Sequence, residues 1–186
     1  MNQLVALRLA DAQGRWLDLG AGAGPSYARF LPSSLVRVPT DFIARPGVMD
    51  VDANQPLPFV DREFDGALAM NMLYTTEDPV AVLKEILRVV KPGGQFVATF
   101  PYVFPETPEP HDYHRWTKEG VERTLRSAGW SQVIVEPVGG LGTVLGSTML
   151  PLRGRGIVQV CAAPMVALLD RVPSSFTYFW FARATA

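Results

Sequence analysis

The feature that most constrains this chain is the run Trp16-Leu17-Asp18-Leu19 entering Gly20-Ala21-Gly22-Ala23-Gly24. An apolar stretch of strand length leads into a turn in which every second residue lacks a side chain. Such a turn bends tightly and lets the backbone approach another group where a Cβ would collide. From Arg15 to about Val135, strand-length apolar runs alternate with helical patterns. Parallel strands need crossovers, so this alternation predicts a doubly wound α/β fold, a mostly parallel sheet with helices on both faces. In open sheets of this kind ligands sit beyond the carboxyl ends of the strands where the chain crosses over, and the glycine turn stands at that point.

The remaining elements follow from local chemistry. Tyr27, Phe30 and Leu31 suggest a helix that Pro32 stops, Leu35 to Val38 a second strand with Asp41 just past its end, and Phe64 to Met70 a buried strand despite Gly66. Asp78 and Pro79 suit an N-cap and first helical position, and Val82, Leu83, Ile86, Leu87 and Val90 form one apolar face. Lys91-Pro92-Gly93-Gly94 ends that helix and turns into a strand over Gln95 to Phe100. A proline-rich loop runs from Pro101 to Pro110, Thr117 caps a helix closed by Gly129, and Trp130 to Glu136 returns as a strand. Phe176 to Phe181, rich in aromatics, reads as the last strand, beside its predecessor.

Composition narrows the function classes. In 186 residues with 48% hydrophobic residues there is room for one domain, 1–186, with a substantial core. A formal net charge of −1 without a basic block lacks the electrostatic term that dominates nucleic-acid affinity, so no nucleic-acid partner is expected. The single cysteine, Cys161, cannot form an internal disulfide, and the N-terminus carries no secretory pattern, which predicts a cytoplasmic protein. Val138 to Leu152 and Gly156 to Leu169 are uncharged stretches broken by Arg153 and Arg155, each short of the roughly 18 residues of a membrane span. They read as an apolar C-terminal insertion at about 138–170, either a buried helix with a lid or a surface for peripheral membrane or protein contact.

The ligand chemistry comes from two features together. Asp41 follows the glycine turn by about the spacing at which an acidic side chain accepts hydrogen bonds from ribose hydroxyls, which points to an adenosine-type ligand. A dinucleotide fingerprint wants glycine where this chain has Pro25, which has no N–H for a pyrophosphate. That favours a cofactor without phosphates over a nicotinamide dinucleotide.

With these residues in view, Trp16 to Gly24 resembles the first motif of class I methyltransferases dependent on S-adenosyl-L-methionine (SAM). Leu57-Pro58-Phe59, Phe64-Asp65, Leu87 to Gly94 and Arg115-Trp116-Thr117 to Gly129-Trp130 resemble, in order, the UbiE and small-molecule branch of that family. The resemblance implies a Rossmann-like methyltransferase fold, a mostly parallel seven-stranded sheet with a last antiparallel strand. It also implies SAM as cofactor, its methionine part against Gly20, Ala21, Gly22 and Gly24 with Asp18 nearby. Its ribose would meet Asp41, its adenine Asp52 and Ala53, and its sulfonium end Asn71 and Met72. No metal is expected, since His111 and His114 lack the spacing and companions of a metal site.

Methyl transfer from a sulfonium asks mainly for alignment and exclusion of water. Where the acceptor is a hydroxyl, the segment His111-Asp112-Tyr113-His114-Arg115 holds both histidines, making His111, Tyr113 and His114 the candidate catalytic residues. The same cluster could instead pin a loop. The stiff loop carrying Tyr102 and Phe104, with the apolar Leu141 to Leu152 stretch, suggests a small-molecule or lipid-like acceptor. The alternative is a catalytically degenerate SAM-binding or interaction module: Asn71-Met72-Leu73-Tyr74-Thr75 stands where the family often has an acidic residue and a Glu-His pair, and little chain precedes Arg15.

Overall fold

The computed structural model describes residues 2–43, 45–107, 111–148, 165–171 and 177–186. Seven strands form one sheet: β1 Gly14–Leu19, β2 Leu35–Asp41, β3 Met49–Asp50, β4 Phe64–Met70, β5 Val90–Pro101, β6 Ser131–Val138 and β7 Phe179–Thr185. Their spatial order is β3-β2-β1-β4-β5-β7-β6. β3 to β5 run parallel, and β7 lies antiparallel between β5 and β6. This is the predicted sheet. The direction of winding changes between β1 and β4, and the glycine turn leaves β1 there.

Side chains alternate across the sheet as the pleat requires. On one face Leu17, Leu19, Ala67, Ala69, Phe96, Ala98 and Phe100 pack under α2 Pro79–Val89 and α3 Lys118–Ser127. On the other, Trp16, Leu68, Met70, Val97 and Phe181 are covered by Val5 and Leu9 from the region of α1 Asn2–Arg8, and by Tyr27 and Leu35. Arg8 pairs with Glu136 on β6, so this short first helix ties the glycine-turn side of the sheet to its far edge. The caps are as read: Asp78 accepts from the N–H groups of Val80 and Ala81, and Thr117 from that of Gly120. Gly66, unusual inside a buried strand, lies under the Trp16 ring; a Cβ there would come within 2.6 Å of the ring and 2.7 Å of the Gln95 carbonyl.

Several expectations change. The helix after the glycine turn is only a 3-10 turn, Ala28–Phe30, because Pro25 and Pro32 leave too few N–H donors between them and Leu31 is held extended before Pro32. α2 stops at Val89, and Val90 already pairs with Phe64, so Lys91 to Gly94 form a bulge within β5 before the ladder resumes at Gly66 and Gln95. The last strand is shifted to Phe179–Thr185, and it pairs with both β5 and β6. Phe176 and the prolines Pro108 and Pro110 lie outside the described residues. Of the apolar insertion, α4 Leu141–Thr148 and a helical turn at 165–169 are described. Asp170 joins them by accepting from Gly140 N–H and Thr143 N–H. Residues 149–164, with Cys161, Arg153 and Arg155, lie outside the described residues. Among the described residues no helix is long and apolar enough to cross a membrane.

One buried ion group organises the glycine-turn end. Asp18 has no exposed surface; its Oδ1 accepts from the Tyr27 hydroxyl at 2.7 Å and its Oδ2 from Arg37 Nη1 at 2.9 Å. Burial pushes its carboxyl up to about 6, against the downward pull of Tyr27 and Arg37. Burial, and then the same carboxylate, hold the Tyr27 phenol well above its ordinary range.

Two outcomes follow from this packing. Gly66→Ala, with ring and carbonyl both in the way, is expected to destabilise the protein by about 1–3 kcal/mol in urea unfolding. A carboxyl raised from 3.8 to about 6 contributes stability that is complete below pH 4 and is lost as pH rises to 6. That amounts to about 3 kcal/mol at 1.36 kcal/mol per unit. Unfolding followed across pH 4 to 6.5 should therefore show a fall that Asp18→Asn flattens; an unchanged slope in Asp18→Asn would assign the effect to other groups.

Candidate functional site at the carboxyl edge of the sheet

The turn after β1 is held open by its neighbours. Gly20 and Gly22 both have positive φ, 71° and 61°. A Cβ on Gly20 would lie 2.6 Å from the Met72 Cβ, whereas one on Gly22 or Gly24 would meet nothing within 4 Å. The turn therefore packs against the end of β4 on one side and leaves space over its middle. Buried Ala21 donates its N–H to the Thr40 carbonyl at 2.8 Å, and Gly22 donates to Asp41 Oδ2 at 2.8 Å.

Asp41, at the carboxyl end of β2, thus touches the glycine turn directly. Its Oδ1 accepts from Ile43 N–H at 3.0 Å and from Arg45 Nη1 at 3.1 Å. A carboxylate has about four acceptor positions, so one on Oδ2 remains for a ligand hydroxyl. Asp52 closes a turn of its own by accepting from Asn54 N–H at 2.9 Å, and Ala53 packs against the core under that turn. Asn54 in turn accepts from Glu77 N–H, tying this loop to the segment after β4.

Asn71 is the most telling position. It follows β4 with φ 56°, a left-handed conformation that costs a residue with a side chain, and its Oδ1 is buried with no hydrogen-bond partner among the described residues. Thr99 on β5 also has a buried, unpartnered hydroxyl, and its strand neighbour is Met70. Unsatisfied polar atoms gather beside the point where the winding reverses. Met72 is buried against Gly20.

The 111–116 segment lies across the carboxyl ends of β4 and β5. Tyr113 donates its N–H to the Tyr74 carbonyl, His114 Nε2 lies 2.9 Å from the Thr76 carbonyl, and Trp116 donates to the Pro101 carbonyl. His111 stacks on Tyr113 with centroids 5.2 Å apart. Asp112 pairs with Arg115, which holds its carboxyl below the usual range, and Arg115 lies 5.6 Å from the rings of both Tyr74 and Phe104.

The structure thus joins Gly22 to Asp41, Ala21 to Thr40 and Gly20 to Met72, with Asn71 next to Met72 at the end of β4. The Asp18 carboxylate lies beneath the turn, both its oxygens already engaged. Among the described residues no three His, Cys, Asp or Glu side chains gather as a metal-binding group. Sequence reasoning passed over Tyr27 and Arg37, the partners of Asp18; the available signal was a charge pair placed on two adjacent strands. It also passed over Arg45, which sets the orientation of Asp41. A pocket of about 410 Å³ lies elsewhere, at the amino-terminal ends of β4 and β5 between Arg62, Lys84, Leu87 and Arg88. Arg88 is used up there by Glu85, Asp61 and the carbonyls of Leu57 and Phe59, so it secures the 57–61 loop.

The profile of a family described as a methyltransferase domain matches residues 17–98. A demethylmenaquinone methyltransferase of Corynebacterium kroppenstedtii is 30% identical over 155 residues, 63% of this chain and 68% of that protein. Other curated relatives are matched over about half their length or less. Among solved structures, a SAM-dependent methyltransferase of Mesorhizobium loti aligns with 99% of this chain and 96% of its own, at TM-score 0.66 and 18% identity. A phosphoethanolamine N-methyltransferase of Haemonchus contortus, solved with SAM, aligns with 99% of this chain and 51% of its own, at TM-score 0.65 and 17% identity. With a predicted first motif, a matching strand order and a relative covered over two thirds of its length, the chain belongs to the class I SAM-dependent methyltransferases.

Proposed function

We propose that this chain transfers the methyl group of SAM to a small-molecule or lipid-like acceptor held above the carboxyl ends of β4 and β5. The observation that carries this reading is the glycine turn packed on the end of β4: there is open space over Gly22 and Gly24, Gly20 lies against Met72, and the adjoining Asn71 has a strained backbone and, among the described residues, a buried oxygen without a partner. A ligand with N–H or O–H donors would satisfy that oxygen, and an α-amino group or a ribose is such a donor. SAM, when bound, supplies an electrophilic methyl on a sulfonium.

The protein's share is binding and alignment. The backbone of Gly20 to Gly24 cradles the methionine part, and Asp41 accepts from the ribose hydroxyls through its remaining lone pair. The turn at Asp52 and Ala53 borders the adenine. Asn71 and Met72 close over the sulfonium end. The 111–116 segment, lashed to the 74–76 turn and to Pro101, covers the reacting face and keeps water from it. A lipid-like acceptor suits the exposed Leu145, Met165 and Leu168 on the apolar insertion, and it suits the Corynebacterium relative, which is named a demethylmenaquinone methyltransferase.

Calorimetric titration with SAM, S-adenosylhomocysteine and NAD tests the cofactor site. Both sulfur ligands should bind saturably and NAD should not. Asp41→Ala should weaken S-adenosylhomocysteine roughly tenfold or more, the scale of a lost hydrogen bond to a charged group. Gly22→Val, which forces a β-branched side chain into positive φ, should abolish it, each variant first being checked for a wild-type melting profile. Unchanged affinity in both variants would overturn the assignment, and binding without methyl release to any acceptor would favour the non-catalytic module.

A further inference from the structure

Within the methyl-transfer reading, on which this inference rests, we infer that the acceptor is an aromatic hydroxyl and that His114 takes its proton through Nδ1. Two independent observations carry this. The first is the tautomer. The Thr76 carbonyl can only accept, so the 2.9 Å contact places the proton of the ring on Nε2. In the neutral imidazole Nδ1 is then the bare, basic nitrogen, and among the described residues it has no hydrogen-bond partner. The ring is half-buried between Tyr113 and Trp116, centroids 6.1 and 5.3 Å away, so its orientation is fixed before any substrate arrives. Of its neighbours along the chain, Asp112 and Arg115 pair with each other, and His111 stacks on Tyr113.

The second observation is the wall beside it. Tyr102 lies against Trp180, and Phe104 against Tyr74, Tyr178 and Phe179, with centroids 5.1 to 6.2 Å apart. This wall stands where β5 ends and β7 begins, and Tyr102 is exposed on it. Ring faces and edges at this spacing receive a flat aromatic ligand well and a flexible aliphatic one poorly.

The step balances. As the acceptor oxygen forms its bond to the methyl carbon, the carbon–sulfur bond breaks, its electron pair stays on sulfur and gives a neutral thioether, and the phenolic proton passes to His114 Nδ1. A neutral amine would not need this base before attack, since it is a far stronger nucleophile than a neutral phenol and loses its proton after the bond forms.

The test uses the whole chain loaded with S-adenosylhomocysteine and titrated with 2-naphthol and with 2-methylnaphthalene, which has the same rings without the hydroxyl. Saturable naphthol binding is expected, weakened roughly tenfold in His114→Phe while methylnaphthalene binding is unchanged. His114→Gln, which retains a donor for Thr76, should give the same loss and guards against a folding effect in the phenylalanine variant. Nitrogen-15 NMR of the wild-type histidines should find His114 protonated at Nε2. The inference is overturned by the opposite tautomer, by equal binding of the two probes, by absence of naphthol binding to the loaded protein, or by equal losses for both probes in the variants. Failure of S-adenosylhomocysteine itself to bind is a different result and falls on the cofactor reading.

Discussion

The carboxyl edge of this sheet depends on a single buried carboxylate. Asp18 sits on β1 just before the glycine turn, and its two oxygens hold Tyr27, beyond the turn, and Arg37, on the adjacent strand. Desolvating a carboxylate is expensive unless it is paired and hydrogen-bonded, and here both conditions are met with no exposed surface. The arrangement brackets the turn. Gly20 to Gly24 cannot relax outward while Tyr27 is held back to β1, and β2 cannot slide while Arg37 is engaged. Position of the turn is thereby linked to position of Asp41, four residues beyond Arg37, which grips Gly22 from the other side. Removing Asp18 would leave Arg37 and the Tyr27 hydroxyl without their partner, so its role is structural and its effect on ligand affinity indirect.

Such a bracket matters more in this chain because little else covers this half of the sheet. The β1–β2 connection is reduced to one 3-10 turn, and β2 to β4 are joined by loops and the two-residue β3. Val36 on β2 and Met49 on β3 are exposed in consequence. What fixes the loops instead is a set of polar ties: Asp41 to Arg45, Arg15 to Glu63, Asn54 to Glu77, and Arg88 to the 57–61 segment. Exposed ion pairs of this kind contribute little each. The core under α2 carries most of the load, and the Asp18 group fixes positions at a cost in stability once it ionises.

These features explain what could be read from the sequence. Elements set by short-range chemistry were legible: Asp78-Pro79 begins α2, Thr117 begins α3, and the apolar runs ending at Leu19 and Met70 mark the strands that meet at the crossover. The candidate ligand contacts were legible for the same reason, since Gly20 to Gly24 and Asp41 are tied to the ends of β1 and β2. Features that depend on partners far along the chain were not. β3 is two exposed residues whose pairing to Thr40 and Asp41 leaves no periodicity. Tyr27 looked like one apolar position of a helix, because nothing near it in sequence announces that its hydroxyl meets Asp18. The strained conformation of Asn71 likewise adjoins the packing of Met72 on Gly20, a contact across the switch between β1 and β4 that local sequence does not announce.

The division of labour along the edge follows from the same geometry. In the proposed arrangement the cofactor end, on β1 and β2, is built from backbone N–H groups, a carboxylate and space, which suits a polar ligand with many hydroxyl and amino groups. The proposed acceptor end, on β5 and β7, is built from rings, with the oriented His114 at its border with β4. Asn71 and Met72 stand between the two. An acceptor bound against the rings therefore meets the methyl donor along the sheet's edge and not through its face, and the protein needs no covalent participation to bring them together. Alignment comes from the rigidity of β4 and β5, whose carboxyl ends carry both the turn at 72–76 and the anchor for Trp116. Since the turn at 72–76 touches the glycine turn through Met72 and fixes the histidine through Thr76, displacement of either ligand subsite would shift the other.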